Sequence, residues 1–227
     1  TYMLAAILHK LTGQSLVEYL TPRLFVPLGI QNPVWEMSPQ GINTGGFGLA
    51  ITTEDIARFG QLYLQNGVWQ GVQVVPAAWV AEASRLTSIN GYASTGSDWM
   101  QGYGYQFWRS RHNGYRGDGA FGQFCLVMPE QDAVLAIVSG VRDMQAVLDK
   151  VWAHLLPAMQ AQSLPANPQA CDELRDRLAG LSLPLPDGKF SSPRAATVHG
   201  KSYTLANNDL QLRSASIEFD EEADTLT

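Results

Sequence analysis

The residues best suited to chemistry gather in one short stretch, Tyr115-Arg116-Gly117-Asp118-Gly119-Ala120-Phe121-Gly122-Gln123. Gly117, Gly119 and Gly122 lead into an apolar run, Phe124 to Met128. Glycines at the head of a core strand let something approach the backbone closely, either a packing neighbour or a ligand. Asp118 sits among them. Its carboxylate can bind a substrate amine or hydroxyl, or it can cap the turn through nearby backbone. Arg116, the adjacent cation, is expected to point to solvent. A second glycine pair, Gly45-Gly46, can line the same cleft or simply turn the chain before the next helix. Trp99, Met100, Tyr105 and Trp108 can wall an apolar cleft or belong to a core. Gly117, Asp118 and Gly119, with Gly45, Gly46 and Trp108, are therefore the candidate substrate contacts.

Other chemistry has little support. The four histidines, His9, His112, His154 and His199, are scattered without ligand spacing. The two cysteines, Cys125 and Cys171, show no metal spacing either, so no metal and no cofactor is expected. Cys125 lies in an apolar run and reads as a small buried hydrophobe. A disulfide to Cys171 is allowed, but nothing requires it.

A chain of 227 residues holds one or two domains with a large core. The formal net charge is −6 and no basic run occurs, which argues against nucleic-acid binding. No apolar stretch reaches membrane-spanning length. Thr1-Tyr2-Met3 does not read as a signal peptide.

These candidates must be positioned by the surrounding elements. Leu4, Ile7, Leu8 and Leu11 mark the apolar face of a first helix, which Gly13 ends. Ser15 to Glu18 has capping-box spacing and starts a second helix, with Leu16, Tyr19 and Leu20 on its apolar face, closed by Pro27-Leu28-Gly29. Residues 30–44 read as loop. Thr52 to Asp55 is another capping box, opening a helix that carries Ile56, Phe59, Gly60 and Tyr63 on one face. Val68 to Val75 reads as a small hairpin turning at Gln70-Gly71. Pro76 then starts a helix from Ala77 to Arg85. Residues 86–100 read as a surface loop. Gly102 to Trp108 reads as a strand, with Tyr103, Tyr105 and Phe107 sharing a face. Phe124 to Met128 and Ala133 to Val138 form a hairpin across Pro129-Glu130-Gln131-Asp132. Asp143 caps a last amphipathic helix that ends at Pro157.

Beyond Pro157 the composition changes. Residues 161–196 read as a linker with a short helix, Asp172 to Ala179, and irregular chain around Pro184, Pro186 and Gly188. Residues 197–227 read as the start of a β-rich appendage, with strands at Lys201 to Leu205, Leu210 to Leu212 and Ser216 to Phe219, and another beginning near Asp224. Both ends look cut, so the chain is expected to be a portion of a longer protein.

Three segments together, TYMLAAILHKLTGQSLVEYLTPRLFVPLGI, GGFGLAITTEDIARFGQLYLQNG and GDGAFGQFCLVMPEQDAVLAIVSG, resemble the β-lactamase-related serine hydrolases over roughly residues 1–157. That group includes class C β-lactamases, D-alanyl-D-alanine carboxypeptidases, family VIII esterases and 6-aminohexanoate-dimer-type amide hydrolases. The resemblance implies an α+β fold, an antiparallel sheet flanked by helices, incomplete here. It also implies a serine nucleophile in an S-x-x-K helix, an assisting Y-x-N or S-x-N motif, and a K-T-G or H-x-G motif on a core strand. The serine attacks a carbonyl while backbone N–H groups stabilise the oxyanion. No serine in this chain is followed by lysine at the third position: Ser15 meets Glu18 and Ser139 meets Arg142. No Tyr-x-Asn or Ser-x-Asn precedes the first helix. The third motif corresponds to Gly117-Asp118-Gly119, where the last glycine matches and the usual cation and hydroxyl are replaced. The resemblance further implies a small-molecule or peptide-like amide or ester substrate, and a location often outside the cytoplasm. A missing N-terminal segment or self-association is expected to cover exposed apolar surface. The rival expectation is a degenerate, non-catalytic relative with a binding or scaffolding role.

Overall fold

The computed structural model describes residues 1–90, 96–183, 192–220 and 225–226. It forms two compact units, Thr1–Leu164 and Pro165–Thr227.

In the first unit, α1 (Tyr2–Thr12) ends at Gly13, whose φ of 72° places it in the left-handed region that glycine tolerates best. Ser15 then caps α2 (Leu16–Leu20). Its side chain accepts the Glu18 N–H, and the Glu18 carboxylate accepts the Ser15 N–H. α2 runs through a π turn (Thr21–Phe25) into α3 (Val26–Leu28). Phe25, Leu28 and Ile30 bury against Leu62. Strands β1 (Val34–Trp35) and β2 (Leu49–Ala50) pair antiparallel and close the loop that holds Gly45 and Gly46. Thr52 and Asp55 form the second reciprocal capping box, opening α4 (Thr53–Leu64). β3 (Val68–Trp69) and β4 (Val72–Gln73) make the small hairpin, and α5 (Ala77–Ser84) follows Pro76.

The centre of this unit is a four-stranded antiparallel sheet of β5 (Trp108–Arg109), β6 (Tyr115–Gly119), β7 (Gln123–Met128) and β8 (Ala133–Ile137), in that order. Trp108, Arg116, Leu126 and Leu135 stand in one row across it, and Asp118, Phe124 and Ile137 in the next. That face packs on α6 (Met144–Lys150), which Asp143 caps, and on the π turn Val151–Leu155: Phe124, Leu126 and Met128 meet Leu148, Val151 and Trp152. α4 covers the opposite face. A Cβ on Gly60 would stand 2.9 Å from Cys125 Sγ, so the bare glycine sets how closely helix and sheet approach. Tyr115 and Val127 join Tyr63, Val80 and Phe107 on the same side.

The apolar stripe of α1 faces outward: Leu4, Ile7 and Leu11 are 61%, 51% and 80% exposed, and only Ala5 is buried in that helix. Periodicity marks the helix but not whether anything covers it. Residues 102–107 do not form a strand. Gln106 has φ 66° and Gly102 φ 103°, and the segment folds back so that the Tyr105 N–H bonds the Ala83 carbonyl at 2.9 Å.

In the second unit, α7 (Pro168–Ala179) is capped by Asn167, and a short helix α8 (Ala195–Val198) precedes a hairpin of β9 (Lys201–Thr204) and β10 (Ser214–Ile217). β11 (Phe219–Asp220) pairs with β12 (Thr225–Leu226). Leu210 to Leu212, expected as a strand, is part of a turn held by the Asn208 side chain, which donates to the Leu212 carbonyl and accepts its N–H. Pro184, Pro186, Gly188 and Asp224 lie outside the described residues.

Candidate substrate-binding edge

β7 pairs with β6 along its whole length, from Tyr115 to Gly119. β5 on the other side reaches only Tyr115 and Arg116. Among the described residues, Gly117, Asp118 and Gly119 thus keep an unpaired edge, where an extended ligand can add as a strand. The turn that follows is fixed. Phe121 (φ 66°) and Gly122 (φ 87°) take left-handed conformations, and the single Ser139 hydroxyl proton is shared between their carbonyls, with Oγ at 2.9 and 2.8 Å. The Val141 N–H bonds the Phe121 carbonyl at 3.0 Å, and Gln123 Nε2 donates to the Ser139 carbonyl.

Arg116 is not solvated as expected; it is 0% exposed. Strand alternation puts it on the α6 face, in register with Leu126, so its side chain must enter the core. There Nε donates to Asp118 Oδ2 at 2.9 Å, and Nη1 donates to the carbonyls of Asp98 (3.2 Å) and Arg109 (3.0 Å) and to Ser110 Oγ (2.8 Å). The guanidinium carbon lies 4.6 Å over the Trp99 ring. Burial lowers the Arg116 pKa from its ordinary value, and the Asp118 charge opposes that change.

Asp118 does not cap the turn as the sequence allowed: among the described residues its carboxylate bonds the Arg116 side chain and no backbone N–H. Its side chain is 6% exposed and pairs with Arg116 on the α6 face, while its backbone belongs to the unpaired edge. Burial pushes its carboxyl above the usual carboxylate range, with Arg116 pulling in the other direction. Tyr103 lies close enough that, after its own burial, the negative charge of Asp118 helps raise its hydroxyl. The half-buried Trp108 stands across from Arg116 and meets the Tyr103 ring edge-on at 4.9 Å.

Gly45 and Gly46 have a different neighbour. A Cβ on Gly45 would stand 3.2 Å from Ala5 Cβ, and one on Gly46 3.2 Å from Thr1 Cβ. The pair admits the start of α1, and Thr1 Oγ1 in turn donates to Gln106 Oε1 at 3.3 Å. Tyr105 stacks on Trp79 at 5.8 Å.

Asp98, unremarked in the sequence, organises the ground beneath this edge. It is fully buried. Its Oδ2 accepts from Gln145 Nε2 (2.7 Å), Trp152 Nε1 (3.0 Å) and Arg111 Nε (3.0 Å), and its Oδ1 accepts the Arg111 N–H (2.9 Å). Burial works to raise this carboxyl, but the hydrogen bonds outweigh it and hold the group below the ordinary carboxylate value. Asp98 thereby fixes Trp99 under Arg116. No local spacing reveals it, because its partners lie far along the chain. A Ser-x-Asn triplet, Ser88-Ile89-Asn90, lies well after α1; Ser88 pairs with the Tyr103 backbone.

Both cysteines are free thiols, and burial pushes Cys125 up to about 12, which makes it a poor nucleophile. Among the described residues no cluster of His, Cys, Asp and Glu could hold a metal ion, and no helix is long and apolar enough to cross a membrane.

The beta-lactamase family model matches residues 1–155. The chain belongs to the beta-lactamase family. Penicillin-binding protein 4 of Amycolatopsis lactamdurans is 25% identical over 72% of this chain and 51% of its own length. The 6-aminohexanoate-dimer hydrolase of Paenarthrobacter ureafaciens is 28% identical over 63% of this chain and 38% of its own. The putative 6-aminohexanoate-dimer hydrolase from Bacillus anthracis superposes with a TM-score of 0.55 and 24% identity, over 68% of this chain and 40% of that one, and supports the fold. The chain spans about half the length of the relatives it matches, or less. The mixed helix and antiparallel-sheet architecture is that of the family.

Proposed function

We propose that this chain supplies the substrate-docking edge of a serine hydrolase that cleaves an amide or ester through an acyl-serine intermediate. One observation carries this reading: among the described residues, β6 of a beta-lactamase-family sheet keeps an unpaired, glycine-rich edge at Gly117–Gly119. A substrate backbone laid along that edge gains main-chain hydrogen bonds, and the missing side chains of Gly117 and Gly119 let it come close. Trp108 and Tyr103 border the edge, and Gly45 and Gly46 serve the cleft by seating the start of α1. The reading assigns residues 1–160 to the hydrolase portion, 161–196 to a linker and 197–227 to a β-rich appendage. The outward stripe of Leu4, Ile7 and Leu11 supports association with a further segment or a second copy.

The 227 residues contain no Ser-x-x-Lys. The nucleophile and its base are therefore proposed to lie outside this chain, and the chain alone forms no acyl-enzyme. Incubation with a fluorophosphonate probe and with a fluorescent β-lactam tests this: no covalent adduct is expected by mass spectrometry, and stoichiometric labelling would overturn it. A second reading, a non-catalytic relative kept for binding, draws on Gly117 and Asp118 standing where the family motif has a cation and a hydroxyl. Sequencing the coding region upstream of Thr1 separates the two, since a Ser-x-x-Lys there favours the enzyme.

A further inference from the structure

The ion pair of β6 is a dipole set into a sheet. Its positive end, the Arg116 guanidinium, is sealed in the core under Trp99; Nη1 is held by three oxygen acceptors and Nε by Asp118, while Nη2 is buried with no partner among the described residues. Its negative end, the Asp118 carboxylate, belongs to the strand segment left unpaired among the described residues; the side chain lies on the α6 face with Arg116 and is 6% exposed. Only Oδ2 of that carboxylate is engaged by Arg116; Oδ1 has no hydrogen-bond partner among the described residues and is not among the buried unsatisfied atoms. An acceptor held rigidly by a buried partner, with one oxygen unspent, is preorganised for a donor arriving along the edge. The neighbouring arginines cannot offset it as free cations. Arg109 donates to the Ser84 carbonyl and to Asn113, and Arg111 is paired with Asp98 and Asp149.

Resting on the docking reading above, we propose that Asp118 Oδ1 is a specificity determinant that selects substrates presenting an ammonium or amide N–H beside the scissile group, and disfavours those presenting a carboxylate. Arg116 is the positioning residue for it. Tyr103 lies close enough for the Asp118 charge to act on its hydroxyl.

The test uses the whole chain and three matched probes: glycylglycinamide (cationic), N-acetylglycylglycinamide (neutral) and N-acetylglycylglycine (anionic). Binding is followed at neutral pH by ¹⁵N–¹H shift changes of the Gly117 and Gly119 amides. The cationic probe is expected to bind about tenfold or more tightly than the anionic one, the scale of one charge-assisted hydrogen bond. The formal net charge of −6 draws cations in general, so the variants isolate Asp118. Asp118→Asn is isosteric and still offers Arg116 an acceptor, and Asp118→Ser is a second uncharged variant in case the first fails to fold. Either should reduce the preference to about twofold or less, while Asp118→Glu should retain it. Equal binding of the cationic and anionic probes, or a preference that survives removal of the charge, overturns the selectivity and leaves the docking edge standing. No shift at Gly117 and Gly119 with any probe overturns the docking edge and the selectivity with it.

Discussion

Replacing Arg116 with methionine should be among the most damaging single changes in the first unit. Methionine keeps the apolar stem against Trp99 and Phe124, so little cavity forms. What disappears is the head group: the ion pair to Asp118 and the bonds to the Asp98 and Arg109 carbonyls and Ser110 Oγ. The Asp118 carboxylate, 6% exposed, would be left without its counter-ion. Removing one partner of a buried pair costs about 3–5 kcal/mol. For a unit of this size each kcal/mol moves the melting temperature by roughly 2–4 °C, so a drop of roughly 6–20 °C is expected. The assay is urea and thermal unfolding followed by circular dichroism. The double variant Arg116→Met with Asp118→Asn should recover part of the loss, with a coupling of about 1–3 kcal/mol. A cost for Arg116→Met below about 0.5 kcal/mol, the range of a solvated surface residue, would refute the buried-pair argument.

Gly60→Ala should destabilise the chain by about 1–2 kcal/mol, because crowding of Cys125 and Val134 exceeds the gain of about 1 kcal/mol in helix propensity; a more stable variant in urea would contradict this. Asp98 titrates below its ordinary value of 3.8, so its contribution is fully present above that pH and is lost as pH falls through the lower folded value. The gap in urea midpoint between wild type and Asp98→Asn should therefore shrink as pH drops below 3.8, and a gap that stays constant would count against the hydrogen-bonded carboxylate.

What the sequence revealed was local. The capping boxes at Ser15 and Thr52, the Asp143 cap, the turn at Pro129–Asp132 and the close-packing Gly60 each depend on residues within a turn or on one helical stripe, and each formed. The aromatic alternation of Tyr103, Tyr105 and Phe107 imitates a strand, but the positive φ of Gly102 and Gln106 breaks it, and that demand comes from packing against α5. Arg116 was legible in principle, since the residue before a core-facing glycine run alternates with its neighbours. Its charge argued for solvent, and only the partner two residues on, together with carbonyls from other segments, makes burial tolerable. Asp98 gathers Arg111, Gln145 and Trp152 from well down the chain, and no spacing encodes such a hub. The glycine-rich entry to β7 reads as a candidate site, but its geometry, an edge open among the described residues and backed by a buried ion pair, follows only from the register of β5 and β6.

The central claim is that Gly117–Gly119 receives a substrate backbone as an added strand. A crystal structure of the chain with N-acetylglycylglycinamide bound tests it most directly. The ligand should lie extended along β6 on the side away from β7, hydrogen-bonded to the backbone of Gly117–Gly119. A ligand bound elsewhere, or an edge already paired by another segment of the chain, would contradict it.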